Sequence, residues 1–139
     1  MRYVVRDWKD NKRIGNPVSS LDDAREIGVN HFKGTRSVKS LEILNENFVI
    51  IGHVQRGRLG NEWVNVWTSA KDKRFRRLNS DGTLGDHFTT AEARQLLTES
   101  NVAVAKHISK KRDIPEYVAY GRIMSKQRGK FEKVYKEKY

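Results

Sequence analysis

The chain has 139 residues and no cysteine, and its 28 Lys/Arg against 17 Asp/Glu leave a formal charge of +11. Disulfides, zinc ribbons, thiol nucleophiles and Cys-ligated clusters are therefore excluded. A pI near 10.0 with a mean hydropathy of −0.78 describes a polar-skinned protein that draws polyanions by long-range steering, nucleic acid foremost.

The opening residues MRYVVRDWKD lack the apolar stretch of a secretory signal. Tyr3, Val4 and Val5 form a β-branched and aromatic run that reads as a first strand. Turn chemistry at Asp10-Asn11-Lys12 leads to a short return around Ile14, before Gly15-Asn16-Pro17. Ser19-Ser20-Leu21-Asp22-Asp23 then announces a helix, with a hydroxyl to cap a free amide and two carboxylates at the positive dipole end. Leu21, Ala24 and Ile27 share a face, so this helix should run to about His31 or Lys33 and stop at Gly34.

Residues 38–44 alternate apolar with polar, Asn45-Glu46-Asn47 makes a turn, and residues 48–54 return as a nearly unbroken apolar run. Such a run is expected to be a central strand buried on both faces. Its apolar start, residues 48–51, is far too short to span a bilayer, so a soluble cytoplasmic protein without membrane contact is expected. Arg56-Gly57-Arg58-Leu59-Gly60-Asn61 reads as a flexible basic loop. A hairpin follows, residues 63–68 and 73–78, and a second turn at Asn79-Ser80-Asp81-Gly82 introduces a further strand over residues 83–88. Thr89 and Glu92 match the capping box, so a second helix starts there. Residues 101–108 alternate valines with alanines and read as a last strand.

From Lys110 onward the composition changes, with ten Lys/Arg against four acids. Pro115-Glu116 suits a helix start. The expected architecture is α+β: a mainly antiparallel sheet of five to seven strands, two helices packed on one face, and a basic C-terminal helical extension. Residues 1–109 would form the core domain and residues 110–139 the extension. Residues 3–33 and 63–99 share an order of strand, basic turn, extended piece and capped helix, which raises a ββα duplication beside the plainer reading of two ordinary α+β segments, since such orders recur by chance.

Three basic clusters are candidate sites. In the hairpin, Lys73, Arg74, Arg76 and Arg77 surround Phe75, opposite Trp63 and Trp67. If the valines between the tryptophans face the core, the two rings lie outside and can stack bases; if the rings face inward, the arginines alone meet phosphates. In Arg56-Gly57-Arg58, glycine allows close backbone approach between two guanidiniums. In the tail, Lys126, Arg128, Lys130 and Lys133 suit a basic arm.

The expected function is non-enzymatic nucleic-acid binding through phosphate contacts, with little sequence specificity. No helix-turn-helix, zinc-finger, RNP-type or P-loop spacing occurs. The alternative is a small regulator or inhibitor, of the sort a virus or mobile element encodes, docking on an acidic protein surface. A second alternative is a metal-dependent nuclease using Asp81, Asp86 and His87 of the DGTLGDH loop. No metal, cofactor or catalytic residue is assigned.

Overall fold

The computed structural model describes residues 2–134, with side chains described through residue 126. It divides into two compact units, residues 1–88 and 89–139.

The first unit is a seven-stranded sheet with one helix. In chain order it runs β1 (Tyr3–Asp7), β2 (Arg13–Val18), α1 (Leu21–Phe32), β3 (Lys39–Asn45), β4 (Ile50–Leu59), β5 (Glu62–Ser69), β6 (Phe75–Leu78) and β7 (Leu84–His87). The spatial order is β2-β1-β3-β4-β5-β6-β7, and every neighbouring pair is antiparallel. The α+β class and the antiparallel sheet expected from the strand patterning are thus present.

Serine capping starts α1 as its sequence suggests, Ser20 Oγ accepting from Asp23 N at 3.0 Å. The helix then crosses much of the sheet. Ile27 faces Gly15 of β2, Gly28 lies against Val54 of β4, and Asp22 meets Gly82 in the turn between β6 and β7. Reaching both margins from a single helix requires a curled sheet. Register shifts at Tyr3/Val5, Ile43/Leu44 and Arg76/Leu78 supply local bending of the kind β-bulges provide. Val5, Ala24, Val29, Phe32, Leu41, Ile43, Val54, Trp67 and Leu78 form the core between them.

Strand pairing fixes which side chains share a face. On the helix side lie Val5, Leu41, Ile43, Val54, Trp67 and Arg76; on the other lie Arg6, Glu42, His53, Val66, Thr68, Phe75 and Arg77. Pro17, which has no amide to donate, sits in the margin strand β2, and Arg76 of β6 donates twice to the Gly85 carbonyl of β7, at 2.9 and 3.1 Å.

The second unit is a helical hairpin, α2 (Thr90–Arg112) and α3 (Glu116–Val134). The capping box is present: Thr89 Oγ1 accepts from Glu92 N, and Glu92 Oε1 accepts from Thr89 N. Asp113 ends α2 in the left-handed conformation.

Several expectations need correction. Residues 101–108 are not a strand but the second half of α2. Ala93, Leu96, Asn101 and Ala105 are its buried positions, a helical spacing that the polar Asn101 breaks into two apparent pieces. Asn101 Nδ2 instead donates to Met124 Sδ of α3 at 3.5 Å. The two compact units divide at residues 88/89, and the compositional change at 109/110 falls within the last turn of α2. Residues 56–59 are no flexible loop but the end of β4, leaving only Gly60 and Asn61 as the turn. Nor is the apolar run from residue 48 buried: β4 starts at Ile50, and Phe48 and Val49 are exposed in the turn. Finally, residues 63–99 hold three strands before a helix where residues 3–33 hold two. Among the described residues no helix is long and apolar enough to cross a membrane.

Candidate nucleic-acid interface

Alternation along β4 puts Arg56 and Arg58 on the same side of the sheet, with the buried Gly57 facing the other way. Their cross-strand partners complete a patch. Lys39 of β3 pairs with Arg56, Asn65 of β5 with Arg56 on the other flank, and Trp63 with Arg58. These five residues occupy the part of the β3-β4-β5 face away from the turn at residues 45–49, and none is acidic.

The patch is ordered by specific bonds. Arg56 Nη1 donates to Asn65 Oδ1 at 3.0 Å, and its Nε donates to the Thr35 carbonyl at 3.2 Å. The second bond ties the segment after α1 to the sheet and brings exposed Arg36 into the neighbourhood. Exposed Arg58 lies over the half-buried Trp63 ring, its guanidinium carbon 5.8 Å from the centroid. Stacking of this kind holds a long side chain without removing its charge from water. Together the groups can offer phosphate donors beside the edge of one aromatic ring.

The tryptophans have separate fates. Trp67 is 3% exposed and belongs to the core, so it cannot stack a base; this corrects its place among the candidate ligands. Its ring packs on Gly52, and Arg25 of α1 stacks on it at 4.5 Å. Arg25 is itself buried and donates to Asp22 Oδ1 at 2.6 Å. Burial pulls its pKa down, while the Asp22 carboxylate works in the opposite sense. The choice between valines inside and tryptophans inside was a false one, because Val66 is buried as completely on the opposite face.

The arginines of the β5–β6 hairpin do not converge. Arg76 is committed to the Gly85 carbonyl, and Arg77 lies on the other face with its guanidinium carbon 4.5 Å from the Phe88 ring centroid. Phe75 is buried and likewise unable to stack bases. Lys73 and Arg74 are exposed at the turn beside the residue 45–49 hairpin, the opposite end of the sheet from Arg58. In the second unit, exposed Lys110, Lys111 and Arg112 close α2, and Tyr117 in the first turn of α3 is 78% exposed. Lys126 is exposed on α3, while Arg128, Lys130 and Lys133 lie outside the described side chains.

Comparison with known protein families, curated proteins and solved structures found no match.

The sequence suggested Asp81, Asp86 and His87 as a metal site. Asp81 serves its own turn, its Oδ1 accepting from Thr83 Oγ1 at 2.6 Å and Thr83 N at 3.0 Å, which holds its pKa below the ordinary value. Among the described residues no group of three or more potential metal ligands assembles. Lys39 and Asn65 went unnoticed in the sequence because strand register, which brings them to Arg56, is not written in any short motif, and Arg36 because it is the bond from Arg56 to the Thr35 carbonyl that brings its segment to the sheet.

Proposed function

We propose that the protein binds nucleic acid without chemistry on it, mainly through phosphate contacts from Lys39, Arg56 and Arg58, with the Trp63 ring beside them. The observation that supports this reading most is the register: three cations, an amide and an indole from three strands meet on one surface. The alternation of β4 repeats the cationic side chain every second residue, about 6.6 Å along the strand. That spacing is close to the separation of successive phosphates in an extended backbone. Lys73, Arg74 and the cations of the helical hairpin add to the attraction but are not needed for the patch itself.

The test is fluorescence anisotropy with a labelled single strand and a labelled duplex, at about 50 mM and about 200 mM salt. The wild-type chain should bind and lose affinity steeply between the two. A Lys39→Ala/Arg58→Ala double variant should lower the salt slope by about 1.4–1.8, at 0.7–0.9 per phosphate contact. Absence of binding to either probe at low salt would sink the reading and favour docking on an acidic protein. Arg56 is left intact in this experiment because it also fastens the Thr35 carbonyl.

A further inference from the structure

The turn between β3 and β4 carries a feature that stability does not explain. Phe48 N donates to the Asn45 carbonyl and Asn45 N to the Val49 carbonyl, both at 3.0 Å, while Asn45 Oδ1 accepts from Asn47 N and Val49 N. This is a tight turn followed by one left-handed residue, the place where hairpins normally use glycine. Here that residue is Phe48, at φ 61° and 80% exposed. A bulky side chain pays a steric penalty there. Val49 and Ile50 beside it are 54% and 36% exposed. Three successive apolar side chains therefore stand in water at the end of the sheet, the first of them held in a disfavoured conformation. Strain of this sort points to use.

The neighbouring turn indicates what the tip meets. Ala70 N donates to the Ile51 carbonyl at 2.9 Å, so residues 69–74 lie directly alongside. Exposed Lys71, Lys73 and Arg74 belong to that turn, and Lys73 is also left-handed, at φ 59°. Its one acid, Asp72, accepts from Arg74 N at 3.1 Å through one carboxylate oxygen. An apolar knob with three cations at its side matches a stacked, phosphate-lined partner. Apolar wedges of this type enter between base pairs and unstack them while nearby cations hold the backbone.

We propose that Phe48, supported by Val49 and Ile50, is a wedge that inserts into duplex nucleic acid, with Lys71, Lys73 and Arg74 gripping the flanking phosphates. This rests on the nucleic-acid reading above and adds to it a second contact and a mode of action, the local opening of a base step. Glu46 is the one acid in the tip, and Glu46→Gln is expected to tighten binding.

A duplex carrying 2-aminopurine at successive positions reports unstacking as a rise in emission, and anisotropy of the same duplex reports binding. Wild type should bind and raise the emission. Phe48→Gly should bind about tenfold more weakly, leave the emission unchanged, and keep the same salt slope. Its melting temperature should be equal or higher, because glycine removes the left-handed penalty. Wild-type binding without an emission change, or Phe48→Gly behaving as wild type, overturns the wedge and leaves phosphate binding standing. Failure of wild type to bind any duplex or single strand at low salt instead overturns the binding reading beneath it. Sedimentation showing wild-type dimers that Phe48→Gly abolishes would also overturn the wedge, by assigning the tip to contacts between copies of the chain.

Discussion

Gly82 shows how much can depend on one missing methyl group. Its φ is +88°, and a Cβ there would lie 2.0 Å from the Asp22 carbonyl oxygen, so the β6–β7 turn presses onto the first turn of α1. Gly82→Ala combines a left-handed penalty with a backbone clash and should cost at least about 2 kcal/mol, read as a lower urea midpoint at an unchanged m-value. The sequence announced this turn through Asn79-Ser80-Asp81-Gly82, and the prediction of a turn there was correct. It gave no sign that the turn touches a helix sixty residues earlier in the chain. Phe48 is the reverse case: an apolar residue beginning an apolar run reads as core, and only the backbone shows it standing outside.

At the level of elements, the sheet carries a polar row across four strands on the face away from α1. Arg6, Glu42, His53 and Thr68 are successive cross-strand partners from β1 to β5. Arg6 Nη2 and Nε donate to Glu42 Oε2 at 2.6 and 3.2 Å. His53, half-buried between its neighbours, has its pKa lowered from 6.5 by burial, with Glu42 opposing. The folded state thus resists protonating His53 while the unfolded chain accepts the proton at its ordinary pKa. This contribution is fully present above pH 6.5 and is lost as pH falls from there toward the folded value. Urea unfolding at about pH 7.5 and about pH 5.5 should therefore show a smaller stability difference in His53→Gln than in wild type. Individual strands were legible because alternation and turn residues are local properties. The row was not, since it exists only once register is set. Helix α2 was misread for a related reason: Val102 and Val104 alternate with small alanines in sequence, yet burial follows Ala93, Asn101 and Ala105, and packing outvotes the local pattern.

At the scale of the whole molecule, the positive charge of the sheet unit is divided between its two ends and does not follow the single hairpin that the sequence emphasised. Lys39, Arg56 and Arg58 form one cluster; Lys71, Lys73 and Arg74 form another at the far end of the same sheet; Lys110, Lys111 and Arg112 occupy the apex of the helical unit. The last three also sit where cations favour the negative end of a helix dipole. A Lys110→Ala/Lys111→Ala/Arg112→Ala variant separates the two roles. If the apex contacts phosphates, the salt slope of binding should fall by about 2–3; helix capping alone would leave the slope intact and lower helix stability by a few tenths of a kcal/mol per residue, roughly. Net charge suggests a class of partner and not a surface, because placement is decided by strand order. The two margins of the sheet carry a further consequence. A proline in β2 at one margin and the shortness of the four-residue β7 at the other leave little for an extended peptide to zip onto. Even when crowded along a polyanion at high local concentration, neighbouring copies should resist fusing into a continuous ribbon.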